Sequence, residues 1–202
     1  MITIGITGII GSGKTTASNI LKRKGFTVID LDRLAKKAIA LKEVQEDIIT
    51  HLGKKYVKDG IPVIEKLRDA VFVDRDTLQK LESIIHPRVG EELWKEIGEL
   101  REAGTEAAIV DGPLLYETGL YKKLDKTVVV STKMGKIKER LRARGMSEKD
   151  MERRMALQIP LEKKEEMTDF VIFNNGTKKD LEKEVEMLLR RIKEWEVMAD
   201  AP

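Results

Sequence analysis

Eight residues near the start of the chain, Gly8-Ile9-Ile10-Gly11-Ser12-Gly13-Lys14-Thr15, fit the pattern G-x-x-x-x-G-K-[ST] in full. The pattern demands a buried strand ahead of it, a tight glycine turn, and a helix behind it whose N-terminus faces an anion. The glycines let the backbone curl until successive N–H groups form a nest, in which Gly11, Ser12, Gly13, Lys14, Thr15 and Thr16 surround a phosphate. Lys14 reaches the β- and γ-phosphates, and the Thr15 hydroxyl suits Mg²⁺. The surroundings agree with that demand. Ile2, Ile4 and Ile6 mark Met1 to Thr7 as a buried strand, a helix is expected from about Thr15 to Lys24, and Gly25 stands where a helix closes. Phe26 to Asp30 then reads as a second strand, completing a right-handed βαβ unit.

From Arg33 to about Gly104 the pattern predicts a helical tract without strands. Gly53 ends one helix, Asp59-Gly60 marks a turn, Asp74 caps a helix running to His86, and Pro87 opens another that Gly104 closes. Strands resume at Ala107 to Asp111 and Thr127 to Ser131. Lys133 to Met167 is helical and basic, broken by Gly145 and Pro160; Phe170 to Phe173 is the last strand. A helix from about Lys179 turns Leu181, Val185, Leu188, Leu189 and Ile192 inward. Five short apolar strands alternating with helices predict an α/β fold, a five-stranded parallel sheet flanked by helices. We expect a single domain with a core of 1–32, 105–132 and 168–202, a helical insertion over 33–104 and a lid over 133–167. Ligands in such folds sit beyond the carboxyl ends of the strands, where every candidate below falls.

Composition narrows the function classes. The 202 residues contain no cysteine and two histidines, which removes disulfides and thiol catalysis and makes a zinc site a poor fit. A charged fraction of 36% with a net charge of +3 describes solvated helix faces, not a nucleic-acid tail. An aromatic content of 4% offers no stacking platform for single strands. The longest uncharged stretch, Met1 to Gly13, is far short of a membrane span, and no secretory signal is visible. The expectation is a cytoplasmic protein without nucleic-acid, membrane or obligate protein partners.

Two aspartates close the second strand. Asp30 and Asp32 lie two apart, so alternation points both the same way. Asp32 reads either as the cap of a helix starting at Arg33 or as the base that takes a proton from an acceptor hydroxyl. Asp111 ends the third strand before Gly112-Pro113, as a Mg²⁺ ligand or as a turn residue. From Lys133 to Lys164 there are 11 Lys and Arg against 5 Asp and Glu. Arg140 and Arg144 share a helix face, and the segment is either a solvated face or a lid bringing arginines onto phosphate. His86-Pro87 reads as a helix boundary and His51 as surface. No Asn-Lys-x-Asp tetrad is present to select guanine.

Taken together, these blocks resemble the dephospho-CoA kinase family almost end to end. The resemblance rests on the Gly8–Thr15 loop, Val28-Ile29-Asp30-Leu31-Asp32-Arg33-Leu34-Ala35, Val71-Phe72, and Leu81-Glu82-Ser83-Ile84-Ile85-His86-Pro87. It continues through Pro113-Leu114-Leu115-Tyr116-Glu117, Arg140-Leu141-x-x-Arg144, Arg154-Met155-x-x-Gln158 and Asp169-x-Val171-Ile172-x-Asn174-x-Gly176. It implies a P-loop NTPase of the nucleoside monophosphate kinase-like type, with a helical substrate-binding insertion and a helical lid. The implied reaction is phosphorylation of the ribose 3′-hydroxyl of dephospho-CoA by ATP with Mg²⁺. Asp32 is the implied base, Lys14 and Arg140 serve the phosphates, and Thr15 and Asp111 the metal. Asn174 and Gly176 lie near adenine, and Asp32, His86, Leu115 and Glu117 meet the acceptor. Two positions depart from the family pattern: Ile9 replaces a usual glycine, and Val63-Ile64 stands where an acidic-Arg pair is common. Another small-metabolite or nucleotide kinase on the same scaffold, or a nucleotide-binding regulator without turnover, would carry the same loop.

Overall fold

A computed structural model describes residues 1–58, 61–63, 66–67, 70 and 74–199. Its sheet is built from β1 (Ile2–Thr7), β2 (Thr27–Asp30), β5 (Ala107–Asp111), β6 (Lys126–Ser131) and β7 (Phe170–Phe173), in the order β2-β5-β1-β6-β7. It is the expected five-stranded parallel sheet. Every residue of the central strand β1 is buried, as its apolar run requires when both faces are covered.

Period-two alternation sends neighbouring strand residues into different cores. On one face Ile2, Ile4, Ile6, Val128 and Val130 meet Ala17, Ile20 and Leu21 of α1 (Lys14–Arg23). The same core takes Leu181, Val185, Leu188, Ile192 and Trp195 from the last helix, α8 (Lys178–Ala199). On the other face Val129 packs with Ile137, Leu141, Met151 and Leu161. Those four come from α5 (Met134–Ala143), α6 (Glu148–Ala156) and α7 (Leu161–Met167), the three helices into which Lys133 to Met167 is divided. Gly145, at φ 77°, makes the first of those breaks.

The chain forms two compact units, Asp30–Gly98 and the remainder, Met1–Ile29 with the chain from Glu99 onward. The first of these holds α2 (Leu31–Ile39), α3 (Lys42–Leu52) and most of α4 (Arg75–Glu102), around Ala38, Val44, Ile48, Tyr56, Leu67 and Ile85. Two expectations for this stretch need correction. The tract is not free of strands: β3 (Val57–Lys58) and β4 (Ile61–Pro62) pair antiparallel. Two-residue strands are too short to show any periodicity. Nor does Pro87 open a helix; it lies inside α4, which continues through it. A proline removes one i→i−4 bond, and burial of Ile85, Leu93 and Ile97 along the same helix outweighs that loss. Asp74 does cap α4, accepting from the Asp76 and Thr77 N–H groups at 3.2 Å each. The Asp59-Gly60 turn, Ile64 and Val71-Phe72 lie outside the described residues. Among the described residues no helix is long and apolar enough to cross a membrane.

Candidate active site

The turn from β1 into α1 has the backbone its glycines require. Gly11 and Gly13 sit at φ 83° and 96°, left-handed conformations that side chains resist. Gly8 is needed for a different reason: a Cβ there would stand 2.8 Å from the Val130 carbonyl oxygen. Thr15 and Thr16 are exposed in the first turn of α1. That turn carries N–H groups with no intrahelical acceptor and the positive end of the helix dipole.

Pairing of Ile6 with Asp111 brings the end of β5 beside the loop. There the Asp111 carboxylate accepts from the Lys14 ammonium, with both side chains largely buried. The lysine of the motif is therefore anchored by the aspartate that the sequence left between metal ligand and turn residue. Among the described residues no group of three or more His, Asp or Glu gathers as a metal cage.

On the other side, β6 and β7 end in register at Ser131 and Phe173, placing Thr132 beside Asn174. Both donate to the Ser12 carbonyl, Thr132 Oγ1 at 2.7 Å and Asn174 Nδ2 at 2.7 Å. Arg140 comes from α5. Its Nη1 donates to the carbonyls of Gly11 and Ser12 at 3.3 Å each, and its Nη2 to the Asn174 carbonyl at 3.0 Å. Arg144, four residues on at the C-cap of the same helix, is exposed.

The expectation that Asp32 caps a helix starting at Arg33 needs correction, because the cap lies two residues earlier. Asp30 is itself the N-cap of α2, its Oδ1 accepting from Asp32 N–H at 2.9 Å and Arg33 N–H at 3.3 Å. Asp32 lies inside the first helical turn. Strand alternation therefore does not govern the pair, because the chain changes from extended to helical at Asp30. Arg33 is committed to Glu96, a bidentate contact at 2.8 and 2.7 Å.

Comparison with known proteins agrees with this geometry. The dephospho-CoA kinase family model matches residues 2–180. A dephospho-CoA kinase of Corynebacterium glutamicum is 35% identical over 199 residues, covering 95% of this chain and 98% of that protein. The chain belongs to the dephospho-CoA kinase family. Among solved structures, TT1252 from Thermus thermophilus is 34% identical with a TM-score of 0.81, covering 94% of this chain and 97% of that one. A dephospho-CoA kinase from Campylobacter jejuni is 26% identical with a TM-score of 0.69, covering 94% and 96%.

The other positions that carry the family resemblance divide between surface and interior. His86 is exposed on α4. Leu115 is 0% exposed, its side chain over Gly5 in the core, so it presents no side-chain surface to an acceptor. Glu117 also turns inward: its Oε1 accepts from Lys164 Nζ at 2.8 Å and from the Ile159 N–H at 2.8 Å. Asn174 is 6% exposed and spends its amide on Ser12, which places it beneath the loop. Gly176 is exposed, and a Cβ there would strike the Asp180 carboxylate that receives Thr177 N–H at the start of α8.

Three side chains with hydrogen bonds in or near the site escaped the sequence reading. Thr132 carried only the signal of following a strand end. Gln158 belongs to the Arg154-Met155-x-x-Gln158 block; its Oε1 accepts from the Ile10 N–H at 3.0 Å and its Nε2 donates to the Pro113 carbonyl at 3.4 Å. Lys164 counted as one charge among many, yet it is fully buried and donates to the Pro113 carbonyl at 3.1 Å as well as to Glu117. Burial pushes its pKa below the usual lysine value, with the Glu117 carboxylate opposing that shift.

Proposed function

We propose that the chain transfers the γ-phosphoryl group of ATP to the ribose 3′-hydroxyl of dephospho-CoA, forming ADP and CoA. Family membership over nearly the whole chain carries this reading, and a complete phosphate loop with its lysine anchored at the next strand end supports it. A γ-phosphoryl group moves through a loose transition state, so the protein contributes positioning and charge rather than covalent chemistry. Lys14 exchanges its Asp111 partner for the β- and γ-phosphate oxygens, and the first-turn N–H groups of α1 hold the same anion. Arg140, already bonded to the loop, adds positive charge beneath it. The family resemblance gives Asp32, in the first turn of α2, the role of orienting or deprotonating the acceptor hydroxyl.

Mg²⁺ suits the hard oxygen donors here, the exposed Thr15 hydroxyl and the Asp111 carboxylate. That ion keeps several waters and needs only one or two protein ligands beside substrate phosphates. When bound it neutralises charge developing between the β- and γ-phosphates. We assign the reaction to the cytoplasm because a cysteine-free chain suits a reducing compartment.

The test is ADP release from ATP and Mg²⁺ with dephospho-CoA, shikimate, gluconate or a nucleoside monophosphate as acceptor. ADP formed with dephospho-CoA alone is the expected result. ADP with another acceptor would make the chain a different kinase on the same scaffold. Tight ATP binding with no acceptor consumed would make it a nucleotide-dependent regulator.

A further inference from the structure

Three donors from three separate elements converge on one main-chain oxygen, the carbonyl of Ser12. Thr132 and Asn174 reach it at 2.7 Å, and Arg140 at 3.3 Å. Ser12, Thr132 and Asn174 are 0%, 2% and 6% exposed, so water does not compete for the oxygen. A carbonyl has two lone pairs, and the two short contacts suffice to occupy them.

A trans peptide is planar, so its C=O and N–H point in opposite directions. Holding the Ser12 carbonyl down toward Thr132 and Asn174 therefore turns the Gly13 N–H up, away from them and toward the anion side of the loop. The peptide needs holding because Gly13 supplies one of its two flanking torsions, and glycine tolerates either sign of φ. At φ 96° Gly13 also lies so close to the Asn174 amide nitrogen that no side chain fits between them.

We propose that Thr132 and Asn174 are positioning residues for phosphate binding. They act through the Ser12 carbonyl to aim the Gly13 N–H and do not touch the nucleotide with their side chains. The proposal rests on the reading of Gly8–Thr15 as a polyphosphate nest. It differs from an adenine contact for Asn174, because a clamp beneath the loop affects any polyphosphate, with or without a base.

The experiment compares wild type with Thr132→Val, which keeps shape and loses the donor, Thr132→Ser, which keeps the donor, and Asn174→Ala. Calorimetry measures Kd for ATP and for inorganic tripolyphosphate, NMR follows the Gly13 amide, and thermal unfolding checks folding. Thr132→Val and Asn174→Ala are expected to weaken both ligands about tenfold, in line with one lost hydrogen bond. Thr132→Ser is expected to return to within about threefold. The Gly13 amide moves downfield when ATP binds to wild type and Thr132→Ser, and much less in Thr132→Val. KM for ATP rises while kcat changes little, since the nest grips ground and transition state alike.

A Thr132→Val protein with wild-type affinity, or a Thr132→Ser protein as weak as Thr132→Val, overturns the proposal. So does weakening of ATP without weakening of tripolyphosphate, which would return Asn174 to an adenine role. Thr132 and Asn174 come from different strand ends, so if one variant does not fold the other decides. An unshifted Gly13 amide in ATP-bound wild type overturns the proposal without any variant. Wild type that binds tripolyphosphate with the Gly13 shift but consumes no acceptor sinks the kinase reading and leaves the clamp standing.

Discussion

Lys164 Nζ lies 2.8 Å from Glu117 Oε1, and the lysine side chain has no solvent exposure. The pair ties α7 to the chain just after β5. With the Pro113 and Ile159 contacts it forms a buried polar cluster between α7 and the segment that follows β5. Removing one partner of such a pair strands a buried charge. Glu117→Gln is expected to cost about 3–5 kcal/mol in urea unfolding, and the double variant with Lys164→Met considerably less. A double variant as unstable as the single would dismiss the pair as the cause.

The same pair has a pH signature. Burial depresses the Lys164 pKa from the usual 10.5, so between the folded value and 10.5 the unfolded chain binds more protons. The penalty is fully present below the folded value and is relieved as pH rises toward 10.5. Stability of wild type relative to Lys164→Met/Glu117→Gln should therefore increase over that window. A difference that is flat with pH, or falls, would contradict the assignment.

Lys14→Ala removes the ammonium that Asp111 holds ready and leaves that carboxylate without its partner. Loss of one pre-positioned charge contact of this kind typically costs about 10²–10³-fold in kcat. Turnover within tenfold of wild type would disqualify Lys14 as the phosphate-binding lysine.

The two aspartates at the start of α2 should separate cleanly. Asp32→Asn is expected to lower kcat by about 10²-fold or more with ATP affinity little changed, because the nest is intact. Asp30→Asn keeps a good cap and should stay near wild type, whereas Asp30→Ala should lose about 1 kcal/mol of stability. If Asp30→Asn proves the more damaging to kcat, the assignment of the base is wrong.

Hydrogen exchange should divide the segment from Lys133 to Met167 in two. Helix α5 buries Ile137 and Leu141 completely and carries Arg140, whereas α6 buries only Met151. Amides of α6 are expected to exchange faster than those of α5, and to slow when ATP and acceptor bind together. Equal protection in both helices, unchanged by ligands, would argue for a rigid pair and against a lid.

Local backbone chemistry made much of this protein readable from its residues in order. The G-x-x-x-x-G-K-T loop, the glycine at the end of α1, the Asp74 cap and the inward stripe of α8 each depend on a few consecutive torsions or one periodicity. A linear reading contains those directly. Whether Asp30 or Asp32 caps a helix depends on where the extended strand gives way to helix, a difference of two residues. Pro87 stays inside α4 because packing of Ile85, Leu93 and Ile97 overrides a local preference. The convergence of Thr132, Arg140 and Asn174 on Ser12 depends on sheet order. Only the placement of β6 beside both β1 and β7 brings residues more than a hundred positions apart to a single carbonyl oxygen. Hydrogen bonds at 2.7 Å are short-ranged and directional, so which partners meet is decided by the folded arrangement of the strands and not by the order of the residues.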